Sequence, residues 1–287
     1  MAQTAYTMGQ WTSADGLVLR YRDYPGPAAR PPLLCIPGLT RNARDFEPIV
    51  AAFAGEWRVL CPDLRGRGQS DYAKDPATYM PGYYLADLLA LFDQAGLERV
   101  VAIGTSLGGI VTMLLALQAP GRLAGAVLND IGPDIEPAGL ARIRGYVGQG
   151  RSFPTWMHAA RGLREQGGVA YPDYEVSNWL RLAKRLMAVG TGGRIAFDYD
   201  MKIAEPFNAP PAGPPFDMWP ALRALAGRPL LAIRGELSDI LSTETLARMA
   251  REVPGLETVT VPRTGHAPTL EEPEAQAAIA RLLARIA

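Results

Sequence analysis

Short apolar runs alternate with longer segments of mixed polarity along most of this chain. Gly9 to Ser13 and Leu17 to Tyr24, divided by Ala14-Asp15-Gly16, predict an opening hairpin. From Pro32 onward the pattern predicts a strand at Leu33 to Ile36, a helix from Arg44 to Ala54, a strand at Trp57 to Cys61, a helix from Gly82 to Gly96 and a strand at Val100 to Ile103. A helix from Leu107 to Ala119 follows, then a strand-like run ending at Leu128-Asn129. Two further strands, Pro229 to Arg234 and Glu257 to Val261, precede a terminal helix from Pro273. Alternation of this kind predicts an α/β fold, a mainly parallel sheet with helices on both faces.

The alternation breaks between Pro133 and Met218. That stretch carries several helical patterns, among them Glu175 to Val189, and ends in Pro- and Gly-rich sequence at Asn208 to Pro215. It reads as a helical cap of residues 133–218 inserted into a core of residues 1–132 and 219–287. Of its aromatic and sulfur side chains, Trp156, Trp179 and Met201 are expected to line a substrate pocket, although helices spend most apolar residues on packing.

The chemistry is concentrated where the strand at Val100 to Ile103 meets the next helix. Gly104-Thr105-Ser106-Leu107-Gly108 places a hydroxyl between two glycines at that turn. A strand that turns abruptly into a helix crowds its neighbours, and glycine two residues either side relieves the crowding while the serine Oγ stays exposed. The helix's first free N–H groups and positive dipole end then lie beside Ser106, where an oxyanion would develop.

A serine hydroxyl needs a base, usually an imidazole held by a carboxylate. The chain has two histidines. His158 falls in a mid-chain helical pattern, the setting of an ordinary surface or part-buried residue. His266 sits in Thr264-Gly265-His266-Ala267-Pro268, a loop able to aim a ring at a neighbouring strand end. Asp239 and Asp130 both precede His266 and follow Ser106; Asp239 is the expected partner, with Asp130 expected to begin the excursion after its strand.

Composition narrows the function. Twenty-nine basic and 29 acidic residues balance to zero net charge, with no basic block to contact phosphates, so nucleic acid is not an expected partner. Two cysteines without Cys-X-X-Cys spacing, and no histidine pair at helical distance, remove the usual zinc patterns, and Cys35 and Cys61 read as buried free thiols. The Gly66 to Ser70 and Gly190 to Gly193 stretches lack the glycine or lysine of a nucleotide loop. No metal or organic cofactor is expected. Neither a signal-like start nor a membrane-length apolar run is evident, and a cytoplasmic location is the working expectation.

Five blocks in order resemble the α/β-hydrolase superfamily, in particular its capped esterase, lactonase and C–C hydrolase branch. They are Cys35-Ile36-Pro37-Gly38-Leu39, Cys61 to Ser70, the Ser106 turn, Gly235 to Asp239, and Gly265-His266-Ala267-Pro268. The resemblance implies a sheet of the eight-stranded type, Ser106 as nucleophile, His266 as base and Asp239 as its partner. It also implies an oxyanion hole from the backbone N–H groups of Leu107 and Leu39. Many relatives have His-Gly where this chain has Pro37-Gly38, a change that leaves the backbone donor in place. Arg41, two residues past Leu39, could hold a substrate carboxylate, although a surface pairing with Asp45 or Glu47 is the favoured expectation. The function implied is hydrolysis of a small-molecule carboxylic ester or lactone; C–C hydrolysis, cofactor-free haloperoxidation and a ligand-sensing module on the same scaffold are the alternatives.

Overall fold

The computed structural model describes residues 4–210 and 216–286, so part of the Pro- and Gly-rich stretch before Pro215 lies outside the described residues. The chain opens with an antiparallel hairpin, β1 (Thr7–Thr12) and β2 (Val18–Tyr24). Strands β3 (Leu33–Ile36), β4 (Val59–Asp63), β5 (Val100–Thr105) and β6 (Leu123–Asn129) alternate with helices α1 (Glu47–Phe53), α2 (Pro81–Gln94) and α3 (Leu107–Gln118). They form one eight-stranded sheet in the order β1-β2-β4-β3-β5-β6-β10-β11, in which β10 is Leu230–Gly235 and β11 is Leu256–Val261. All pairs from β4 across to the far edge are parallel.

Burial explains why the inner strands read as unbroken apolar runs. Along β5, Val100 and Ala102 enter the core on one face while Val101 and Ile103 enter the core on the other. Helices α2 and α3 cover the first face, with Leu88 and Val111 fully buried, and α1 covers the second with Ile49. Each such Val, Ile or Leu contributes about 1.5–3 kcal/mol by leaving water. A strand dry on both faces has no position at which a polar residue is tolerated without a partner.

After β6 the chain leaves the sheet for an excursion. It comprises α4 (Pro137–Arg144), β7 (Ser152–Phe153), α5 (Trp156–Gly167), α6 (Val176–Leu186), β8 (Met187–Val189), β9 (Ile195–Phe197) and α7 (Ala204–Asn208). Helices α5 and α6 pack on each other around Ala160, Leu163, Trp179 and Leu182 in a cluster separate from the two sheet cores. The helix expected through Val189 stops at Leu186, and Met187–Val189 joins a three-stranded antiparallel sheet in the order β7-β9-β8. Strands of two or three residues are too short to show a period, which is why the sequence pattern displays only helices here.

The chain then returns through α8 (Trp219–Arg223) to β10 (Leu230–Gly235), α9 (Thr243–Glu252), β11 (Leu256–Val261) and α10 (Pro273–Ala284). The parallel order sets the carboxyl ends of β5, β6, β10 and β11 at one rim, and ligands of open α/β sheets bind at such rims. No helix of the described residues is long and apolar enough to cross a membrane.

Candidate active site

Ser106 occupies the turn between β5 and α3 with φ 52° and ψ −114°, a left-handed region that a non-glycine residue enters only when its surroundings compel it. Those surroundings are close backbone contacts. A Cβ on Gly104 would stand 2.4 Å from the carbonyl oxygen of Gly108, and one on Gly108 would stand 2.0 Å from that of Ile36. The Ser106 N–H is tied to the end of β6 by a 2.9 Å bond to the Asn129 carbonyl. Hence the spacing of glycines about Ser106 is a packing requirement, and the side chain is left partly exposed at the rim.

The loop joining β11 to α10 delivers His266 to the same place. Its Nε2 lies 3.0 Å from Ser106 Oγ, and its Nδ1 lies 2.7 Å from Asp130 Oδ2. A carboxylate can only accept, so Nδ1 carries the proton and Nε2 is free to accept from the serine hydroxyl. Asp130 is completely buried. Its charge is held by further donors, the Gly235 N–H to Oδ1 at 2.8 Å and the Ser238 hydroxyl to Oδ2 at 2.7 Å.

The expectation that Asp239 stands behind His266 is therefore corrected to Asp130. Asp239 turns outward, where Arg142 of α4 donates to both its oxygens, Nε at 2.5 Å and Nη2 at 2.8 Å. Strand order supplies the reason. β6 lies directly beside β5, so the residue ending β6 is already at the nucleophile's flank, whereas the turn after β10 brings Ser238 inward and Asp239 towards the excursion. Asp130 adopts φ 57°, which aims its side chain back across the rim.

Leu39 and Leu107 border a cavity with Ser106, and among the described residues neither backbone N–H donates to another group. Sequence reasoning missed what secures the Leu39 segment. Arg67, fully buried, donates to the Leu39 carbonyl from Nε at 3.0 Å and Nη2 at 2.8 Å, to the Arg65 carbonyl at 2.6 Å and to the Tyr84 hydroxyl at 3.0 Å. Its charge faces the Tyr84 ring at 4.7 Å. Arg65, by contrast, is structural: it forks onto Asp87 and Asp15.

Two spaces of different character meet at Ser106. The larger, about 310 Å³, is walled by carbon-rich side chains including Ile110, Ile131, Ile135 and Ile143, with Arg144 among its lining residues. The smaller, about 40 Å³, lies among Thr40, Arg41, Ser106, Tyr146 and His266, and a neighbouring space of about 80 Å³ also borders Arg41, Tyr146 and His266. Trp179 lines that last space. The expectation for Trp156 and Met201 is corrected: Trp156 packs against the α5–α6 cluster and Met201 against the sheet core, and neither borders these cavities.

Arg41 pairs with Asp45 at 3.0 Å, as expected, yet the pair is sheltered and not a surface one. Burial works against the Arg41 charge, and Asp45 with the Tyr171 and Tyr146 hydroxyls outweighs it, so its pKa lies above the ordinary arginine value. His158 is exposed on α5 with Nδ1 beside the Thr155 hydroxyl. Cys35 and Cys61 are buried and unpaired, and burial pushes the Cys35 thiol pKa up. Among the described residues no group of three or more His, Cys, Asp or Glu is arranged to hold a metal ion.

A parallel sheet with a strained serine turn facing a histidine loop defines a class, and comparison with known proteins agrees. Residues 33–279 match the model of the Alpha/beta hydrolase family, and the chain belongs to that family. It is 34% identical over 269 residues, 91% of each chain, to the 3-hydroxybutyrate-oligomer hydrolase of Cupriavidus necator. A crystal structure of an alpha/beta hydrolase from Novosphingobium aromaticivorans matches with a TM-score of 0.95 and 64% identity over 100% of both chains. The 2-(acetamidomethylene)succinate hydrolase of Mesorhizobium japonicum is 25% identical, covering 82% of this chain and 81% of its own.

Proposed function

We propose that the chain is a serine esterase in which Ser106, His266 and Asp130 form the catalytic triad and residues 133–218 act as a cap over it. Ser106 Oγ gives its proton to His266 Nε2 and bonds to the substrate carbonyl carbon. The N–H groups of Leu39 and Leu107 receive the oxyanion, and Asp130 balances the imidazolium. Collapse breaks the bond to the alcohol oxygen, which takes the proton from Nε2. Water then gives a proton to the same nitrogen and attacks the acyl-enzyme, and the acid leaves as the proton returns to Ser106.

The observation that carries this reading is the continuous chain of contacts from Ser106 Oγ through His266 to Asp130, at 3.0 and 2.7 Å. Both distances are within the reach that proton transfer needs. The choice of an ester is supported by the relative named as a 3-hydroxybutyrate-oligomer hydrolase, since such an oligomer is joined by carboxylic ester bonds. The cap assignment is supported by α4, whose Leu140 and Ile143 line the large cavity beside Ser106.

The test is a fluorophosphonate label mapped by mass spectrometry alongside hydrolysis of nitrophenyl esters of graded acyl length. Label on Ser106 and ester turnover, both abolished in Ser106→Ala, are expected; by analogy with serine proteases kcat should fall about a millionfold. Appreciable turnover by Ser106→Ala would sink the proposal.

A further inference from the structure

We propose that Arg41 is the anchor of a carboxylate-binding subsite, so that the substrate is an apolar acyl ester of a short hydroxycarboxylic acid whose free carboxylate sits on the alcohol half. The inference rests on the serine-esterase reading and names the substrate class of that site.

Its starting point is the unequal division of space about Ser106. The large cavity borders Ser106 and the Leu39 and Leu107 amides but not His266, and its wall is mainly aliphatic and aromatic. The small space, where Thr40, Arg41 and Tyr146 stand beside Leu39 and Ile143, borders Ser106 and His266 together. In ester cleavage the imidazole must protonate the departing alcohol oxygen, so the alcohol half has to lie on the histidine side. The acyl half is then left for the apolar cavity, where about 310 Å³ suits a small hydrophobic group.

What the alcohol half meets is Arg41. The arginine stem and the nucleophile flank one glycine: a Cβ on Gly38 would stand 3.3 Å from Arg41 Cγ and 3.7 Å from Ser106 Cβ. Asp45 takes an N–H of the guanidinium, at Nη1, through Oδ1, and the Tyr171 hydroxyl is a second neighbouring acceptor. A guanidinium carries five N–H donors in a planar fork, so donors remain beyond these two acceptors. The Thr40 and Tyr146 side chains border the same space, and Tyr146 lies beside Arg142 as well as Arg41.

Neighbouring charges leave Arg41 as the recognising group. Arg142 borders the adjoining space but not the one shared by Ser106 and His266, and Asp239 engages its Nε–Nη2 edge. Arg144 belongs to the other cavity and lies over the Phe207 ring at 5.8 Å. A sheltered cation with spare donors, one glycine from the nucleophile, recognises a planar anion best, and carboxylate is the anion an ester of a hydroxy acid carries.

The experiment compares 3-(octanoyloxy)propanoate with its methyl ester, followed at the octanoyl bond, in the wild type and in Arg41→Met, Arg41→Lys and Arg144→Met. The wild type should favour the carboxylate in kcat/KM. Arg41→Met should lower the carboxylate-to-methyl-ester ratio about 10- to 100-fold, chiefly through KM, as expected for one charge-assisted contact. Arg41→Lys, with charge but no fork, should fall between. On the wild type, 3-hydroxypropanoate should inhibit competitively and 1,3-propanediol should not, a readout that survives if Arg41→Met does not fold.

A wild-type ratio near unity, equal loss on both esters in Arg41→Met, a ratio that follows Arg144, or equal inhibition by acid and diol would each overturn the subsite. Fluorophosphonate labelling is run in parallel. Ser106 labelled and the methyl ester cleaved without carboxylate preference defeats the subsite alone, whereas no label and no turnover of either ester defeats the esterase reading and the subsite with it.

Discussion

Arg67 grips the carbonyl of Leu39 with two N–H donors at 3.0 and 2.8 Å, although the two residues are 28 positions apart. Arg67 also meets Tyr84 and the Arg65 carbonyl, so a fully buried cation gives two of its four hydrogen bonds to fixing one loop. That loop carries the Leu39 N–H assigned here to the oxyanion hole. Removing the guanidinium should let the donor drift while leaving substrate binding largely in place.

Accordingly, Arg67→Met should lower kcat by about ten- to a hundredfold, less than outright loss of an oxyanion donor, which costs about 10²–10³. KM should change far less, and affinity for a boronic-acid analogue of the tetrahedral intermediate should fall in parallel with kcat. Steady-state kinetics and inhibitor titration read this directly. A KM effect with kcat preserved would show that the arginine serves substrate binding and not the oxyanion.

The two candidate acids separate by substitution. Asp130→Asn places an amide where the imidazole needs an acceptor and should lower kcat by about 10⁴, the loss seen when a triad histidine is held in the wrong tautomer. Asp239→Asn should stay within about tenfold of the wild type, because its partner is Arg142. Comparable losses in both variants, measured on one nitrophenyl ester, would return Asp239 to the triad.

Arg142 and Asp239 join α4 to the turn after β10, and this contact has a pH signature. Burial raises the Asp239 pKa, and the hydrogen bonds and charge of Arg142 outweigh it, leaving the carboxyl below its ordinary value. A carboxyl lowered in the folded state stabilises fully above its unfolded value of about 3.9, and the contribution is lost as pH falls through the lower folded value. The pair is partly exposed, so the contribution should be no more than about 1 kcal/mol. Urea midpoints from pH 5 down to pH 2.5 should fall less steeply for Asp239→Asn than for the wild type; identical slopes would refute the coupling.

Gly108→Ala tests the turn itself. Its new methyl would meet the Ile36 carbonyl at 2.0 Å, so β3 and α3 must part. A cost of about 1–3 kcal/mol or more is expected from such overpacking. Because the displaced backbone also leads to Leu39, activity should fall beyond what the stability loss explains; a variant with unchanged urea midpoint would contradict the packing account.

Local chemistry made much of this protein readable without coordinates. The β5 apolar run and the glycines about Ser106 have short-range causes, since burial on both faces and backbone crowding act between residues a few positions apart. His266 was identifiable because only two histidines exist and only one lies in a Gly/Pro-framed loop after a strand. The three-stranded sheet of the excursion was invisible because its strands are too short to express a period.

Which carboxylate faces His266 could not be read from order along the chain, since Asp130 and Asp239 both satisfy it. That choice belongs to the sheet: β6 sits beside β5, while the β10 turn sends Ser238 to Asp130 and leaves Asp239 for Arg142. The Arg67 grip on Leu39 and the shelter of Arg41 likewise need partners supplied by other elements. Sequence alone determined the strands and helices of the core and the strained turn at Ser106, because those follow from neighbours along the backbone. Only the tertiary structure decided which carboxylate faces His266, what holds the Leu39 loop and how the pocket divides, because directional hydrogen bonds and enclosed space depend on which strand ends the fold brings together.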